Sequence, residues 1–75
     1  MRKALTERQE RLLALFKVAI EREQDSQKLY TDMAATCEDD DLRQVIETLR
    51  DSERVHEEVL LERYKFLRGD PQFKD

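Results

Sequence analysis

The 75-residue sequence has one glycine, one proline, one cysteine and no tryptophan. So few turn-forming residues exclude a multi-strand sheet, which needs a chain reversal about every ten positions. The single cysteine, Cys37, excludes a disulfide-stapled miniprotein, because it has no partner in its own chain. No apolar run approaches the roughly 20 residues of a membrane span. Charged residues follow Met1-Arg2-Lys3 too closely for a secretory leader, so none is expected. Positive charge is not in excess either. Fourteen Lys and Arg stand against 18 Asp and Glu, a net of −4, which argues against a nucleic-acid partner. With a lone thiol, the expected setting is a reducing cytoplasm.

What the chain does have is charge and aliphatic residues in alternation: 43% charged and 39% hydrophobic. Glu, Lys, Arg, Leu and Ala in that mixture build long amphipathic helices. Chains below roughly 70–80 residues seldom bury enough apolar surface to stand alone. A partner, a metal or both are therefore expected.

Two periodic segments flank one acidic break. Thr6-Glu7-Arg8-Gln9 fits a capping box at the start of the first. A stripe then runs through Leu12, Phe16, Ala19, Glu23, Ser26, Tyr30, Met33 and Cys37 in alternating steps of four and three. Glu38-Asp39-Asp40-Asp41 breaks the pattern, and its aspartates can cap a second helix. The second stripe runs through Leu42, Ile46, Leu49, Glu53, His56, Leu60, Arg63 and Leu67, widened by Val45 and Val59. Gly69 is placed to end that helix in the left-handed conformation, with Pro71 preventing its continuation. The expectation is an all-α antiparallel hairpin, with helices over about residues 6–37 and 40–68. Residues 1–75 are read as one half-domain without a linker or repeat.

Three ionisable residues occupy stripe positions: Glu23, Glu53 and His56. Buried charge requires a partner, a shifted pKa or a metal. With the chain reversing near residue 39, Glu23 lies about 16 residues before the turn, and Glu53 and His56 about 14 and 17 after it. All three reach one level, and Glu53 and His56, three apart, share a helix face. Glu21 turns away from the stripe by about 200°. Glu57 and Glu58 are read as a solvated face, and Met33 and Cys37 as packing at the bundle end. Ser26, Gln27 and Ser52 are close enough to orient ligands.

One hairpin holds two carboxylates and one imidazole, too few to enclose a pair of metals. Two hairpins related by a twofold axis supply four carboxylates and two imidazoles, the ligand set of ferritin-like di-iron and di-manganese bundles. Such a carboxylate-rich set suits Fe(II) or Mn(II), with Zn(II) or Ca(II) as substitutes from the medium. The bland counterpart is a metal-free dimerisation hairpin in which Glu53 and His56 fix register.

The stretch Ala19-Ile20-Glu21-Arg22-Glu23, with Tyr30 seven residues on, resembles the first helix of a rubrerythrin or ferritin-like half-domain. Asp51-Ser52-Glu53-Arg54-Val55-His56 resembles the second-helix motif of that superfamily. The 30-residue interval from Glu23 to Glu53 is similar to that of the encapsulated ferritins, two-helix proteins whose centre assembles between two chains. The likeness spans roughly residues 15–67. It implies that Glu23, Glu53 and His56 are the iron ligands and catalytic residues, that Glu53 bridges the metals, and that Tyr30 lies close to the centre, although Tyr30 also fits ordinary core. One cysteine cannot supply the four-cysteine rubredoxin site of a rubrerythrin, and Leu29 stands where encapsulated ferritins carry Trp. The implied activity is ferroxidase chemistry, Fe(II) to Fe(III), in iron storage or detoxification, at a di-iron centre of a homodimeric four-helix bundle. Peroxide reduction at the same site is the enzymatic alternative. Implied partners are a second copy, further dimers and an encapsulin shell, which would place the protein inside that compartment.

Overall fold

The computed structural model describes residues 5–69. Two helices run antiparallel, α1 over Glu7–Thr36 and α2 over Asp40–Leu67, 30 and 28 residues long. Among the described residues there is no strand. The expected fold and helix limits are thus met within one residue at each end.

Local chemistry explains where each helix starts. The Thr6 hydroxyl accepts from the Gln9 N–H at 3.1 Å, and the Thr6 N–H donates to Gln9 Oε1 at 2.9 Å. This reciprocal pair satisfies two donors that the first turn leaves free. Asp39 caps α2, its Oδ1 accepting from the Leu42 N–H at 2.9 Å, and Asp40 and Asp41 face the positive end of the helix dipole.

The end of α1 has no basic residue in its own last turn. Arg43, one turn into α2, supplies the missing charge. Its Nε donates to the Ala34 carbonyl at 3.2 Å, one terminal nitrogen donates to the Cys37 carbonyl, and the other pairs with Asp40 at 2.6 Å. One guanidinium therefore caps α1 and ties it to α2 across the reversal. The half-buried Cys37 thiol adds a bond to the Asp39 carbonyl at 3.3 Å. At the other end, Gly69 takes φ 77° and its N–H bonds to the Phe66 carbonyl at 2.9 Å. A side chain would oppose that backbone angle. Pro71, expected to stop α2, lies outside the described residues.

The hairpin measures 56 × 24 × 12 Å. At one helix thickness it has little interior: Leu13, Ile20, Ala34 and Ile46 are buried, and no described side chain is fully so. Ile46 lies on the seam read from the sequence, whereas Leu13, Ile20 and Ala34 correct it, each standing one residue on from the expected Leu12, Ala19 and Met33. The face of α1 that meets α2 runs through Leu13, Phe16, Ile20, Glu23, Gln27, Tyr30 and Ala34, while Leu12 and Met33 are 42% and 41% exposed. On α2 the matching face runs through Ile46, Arg50, Glu53, Glu57, Leu60, Tyr64 and Leu67, while Leu42 and Leu49 stay exposed.

The residues left over are not scattered. Stepping back by one from each seam position gives Leu12, Leu15, Ala19, Arg22, Ser26, Leu29 and Met33 on α1. On α2 the same step gives Val45, Leu49, Ser52, His56, Val59, Arg63 and Phe66, and Leu42 continues the row one turn before Val45. A step back is a rotation of about 100°. In antiparallel helices of the same hand that rotation leads to one common flank of the hairpin. This flank is mostly apolar and exposed, with Ser26, Ser52 and His56 near its middle.

Candidate metal centre

The residues picked out by counting converge. Glu23 comes from α1, Glu53 and His56 from successive turns of α2, and one ligand atom of each lies within 4.8 Å of the others. His56 Nδ1 stands 3.7 Å from Glu23 Oε2 and 4.0 Å from Glu53 Oε1. The two carboxylates sit in the seam with side chains 22% and 24% exposed, whereas the imidazole is 58% exposed on the apolar flank. The cluster therefore opens toward that flank.

Its electrostatics are unresolved within one chain. Glu23 Oε2 is shielded from solvent and has no hydrogen-bond partner among the described residues. An ionised oxygen in that state is costly. The Glu23 carboxyl is accordingly held above its ordinary pKa, first because the neighbouring Glu53 carboxyl favours a protonated form able to donate to it, then by desolvation and by repulsion from that carboxylate. His56 opposes the rise. A divalent cation among the three groups would give the orphaned oxygen a partner and remove the repulsion at once. Two carboxylates and one imidazole are a donor set suited to iron or manganese. By both criteria the residues fit a metal.

A second polar group backs the cluster, and it corrects another expectation. Glu57 is not on a solvated face. Its Oε2 accepts from Gln24 Nε2 at 2.6 Å and its Oε1 from Gln27 Nε2 at 2.8 Å. These bonds hold its carboxyl below the ordinary range, against a smaller effect of desolvation. Gln27 Nε2 also donates to the Glu23 backbone carbonyl at 3.2 Å. Relative to Glu53, His56 is rotated by about −60° and Glu57 by about +40°, so the two project on opposite sides of it. The signal for Glu57 lay in Gln27, a half-buried amide on the seam of α1 that needs a partner, with the exposed Gln24 one turn before it.

The remaining candidates separate by exposure. Tyr30 is half-buried on the seam, Ser26 is half-buried beside the apolar flank, and Glu21, Ser52 and Glu58 are exposed. Met33 is exposed, so it does not pack the end of this single hairpin, whereas Cys37 is half-buried there. A shallow open groove lined by Gln24, Gln27, Lys28, Thr31 and Asp32 lies behind the cluster and contains none of its three donors. No helix among the described residues is long and apolar enough to cross a membrane.

Comparison with known proteins agrees with this picture at the level of the family. The rubrerythrin family model matches residues 1–73, nearly the whole chain. No curated protein and no solved structure gives a significant match. The chain belongs to the rubrerythrin family, within the ferritin-like superfamily, whose members typically bind iron and include redox di-iron proteins.

Proposed function

We propose that this member of the rubrerythrin family is a ferroxidase whose di-iron centre is completed by pairing of two hairpins. Fe(II) would be its substrate and Fe(III) its product, with dioxygen or peroxide as the electron acceptor. Each chain contributes Glu23, Glu53 and His56, and two chains together give the four carboxylates and two imidazoles of a ferritin-like site. The observation that carries this reading is Glu23 Oε2, shielded and unpartnered with a second carboxylate and an imidazole within reach.

The chain's own groups have separable tasks. Glu23 and Glu53 supply negative charge that favours Fe(III) over Fe(II), which lowers the barrier to losing an electron. His56 supplies a neutral nitrogen donor when it carries no proton on the coordinating atom. Its place on the apolar flank, between Ser52 and Val59, makes it the donor nearest a second copy. Pairing along that flank would bury Leu12, Leu15, Leu42, Leu49 and Val59 and exclude water from the cluster. Each partly exposed aliphatic side chain so covered contributes on the order of 1 kcal/mol.

The test is aerobic addition of Fe(II) to the purified dimer, following Fe(III) formation by near-ultraviolet absorbance. Oxidation well above the buffer rate, lost in Glu53→Ala and His56→Ala while the dimer persists, supports the proposal. A dimer that forms without metal and oxidises Fe(II) no faster than buffer would refute it, and would favour the register-fixing role for Glu53 and His56. Family membership keeps peroxide reduction as a second reading. Stopped-flow comparison of dioxygen and peroxide as oxidants of the iron-loaded dimer distinguishes the two.

A further inference from the structure

Glu57 is placed to act on the metal cluster without joining it. It follows His56 directly, lies one turn beyond Glu53, and is bound by two amides of the opposite helix. Both its oxygens are occupied, whereas Glu23 has an oxygen with no hydrogen-bond partner among the described residues. The chain therefore treats two glutamates at one level of the hairpin in opposite ways.

The polarity of the network is fixed. Gln27 Nε2 spends one hydrogen on the Glu23 backbone carbonyl and the other on Glu57. The reversed amide would set its oxygen against a carboxylate and lose both bonds. Gln24 repeats the contact from the preceding turn of α1. Two cross-helix bonds to one carboxylate constrain both the rotation of α2 and its height against α1. Rotation and height are the variables that set how far His56 and Glu53 stand from Glu23, with His56 Nδ1 at 3.7 Å from Glu23 Oε2 and one ligand atom of each residue within 4.8 Å of the others.

We infer that Glu57, gripped by Gln24 and Gln27, is a positioning residue that holds α2 in the register at which Glu23, Glu53 and His56 can share a metal ion. The inference rests on the metal-centre reading above and adds to it. Glu57 makes no contact with the metal; it determines where the ligands stand. Its engagement with the two amides also keeps a further carboxylate out of the cluster, so that the donor set stays at two carboxylates and one imidazole per chain.

The experiment is titration of the full chain with Co(II), whose visible absorption bands report the number and symmetry of its ligands. Glu57→Ala should weaken Co(II) binding by about 10- to 100-fold, the usual effect of removing a group that orients ligands, and should change the band shape. Glu58→Ala, an equal loss of charge one residue away, should behave as wild type. Gln27→Glu alone should weaken binding, because two carboxylates then face each other. Combining it with Glu57→Gln restores an amide–carboxylate pair of reversed polarity and should recover most of the affinity. A merely structural role predicts a lower unfolding midpoint in denaturant with wild-type Co(II) bands, and that result would overturn the inference. So would unchanged affinity in Glu57→Ala, or failure of the swapped pair to recover it. Wild-type chain that takes up no Co(II) would remove the metal centre itself and this inference with it.

Discussion

His56 Nδ1 and Glu23 Oε2 stand 3.7 Å apart on different helices, too far for a hydrogen bond and close enough to share a cation. Glu23→Gln tests what that gap is for. The substitution keeps the shape and removes the charge that a metal needs. Metal affinity should fall by at least about tenfold, while the metal-free hairpin becomes equally or more stable because a poorly solvated carboxylate is gone. Isothermal titration with Mn(II) and denaturant unfolding of the metal-free protein read the two effects separately. Loss of stability together with unchanged affinity would contradict the assignment.

The two perturbed carboxyls give opposite pH dependences. Glu23 is raised from 4.5 by Glu53 and by desolvation. Its favourable contribution is complete below that value and is lost as pH rises through the folded-state pKa. Glu57 is lowered from 4.5 by Gln27 and Gln24, so its contribution is present above that value and is lost as pH falls through its folded-state pKa. In the metal-free protein, Glu23→Gln should abolish the loss on the alkaline side, and Glu57→Gln the loss on the acid side. Unfolding midpoints measured from pH 3 to 7 check both. Metal binding in weak buffer just above pH 4.5 should release protons, because the cation displaces the one held by Glu23.

Pairing should fail when charge enters the apolar flank. Leu49 is 44% exposed, so a single hairpin tolerates a polar residue there. Leu49→Glu would place a charge in each half of the proposed interface, next to the turn that precedes Glu53. Light scattering should report half the wild-type mass, and Fe(II) oxidation should fall to the buffer rate. Thr48→Glu, exposed and off that flank, should leave both unchanged.

The reversal depends on one guanidinium. Arg43 bonds the Ala34 and Cys37 carbonyls and Asp40 together. Arg43→Ala should cost roughly 1–3 kcal/mol in thermal or denaturant unfolding, the range for hydrogen bonds to a charged group at a partly exposed site. Arg43→Lys should recover only part of it, since an ammonium lacks the planar fork that reaches several acceptors. A lysine variant as stable as wild type would show that charge alone suffices.

The parts of this molecule legible in the sequence are those fixed by local chemistry or by counting. Thr6, Asp39 and Gly69 mark helix ends because each satisfies a backbone requirement within three residues of itself. The common level of Glu23, Glu53 and His56 follows from rise per residue alone. The choice of seam was not legible. Apolar or small residues occur in adjacent pairs, Leu12–Leu13, Ala19–Ile20, Met33–Ala34, Val45–Ile46 and Val59–Leu60, so two stripes one residue apart fit equally well. The packing of α1 on α2 takes Leu13, Ile20, Ala34 and Ile46 and leaves most of the other stripe exposed. Glu57 escaped for a related reason. Beside His56 it looked like half of an exposed acidic pair, and only the helix rotation distinguishes it from Glu58.

A body 12 Å thick can shield a single atom such as Glu23 Oε2 but not a whole reactive centre. Glu23, Glu53 and His56 each keep part of the side chain exposed in the single hairpin. If pairing completes the centre, the rate per chain must depend on how many chains are present. Dilute protein would be inert, and specific activity would climb with concentration until the dimer saturates. Synthesis level would then act as the switch, without any effector, and a newly made, unpaired chain could not start redox chemistry on its own.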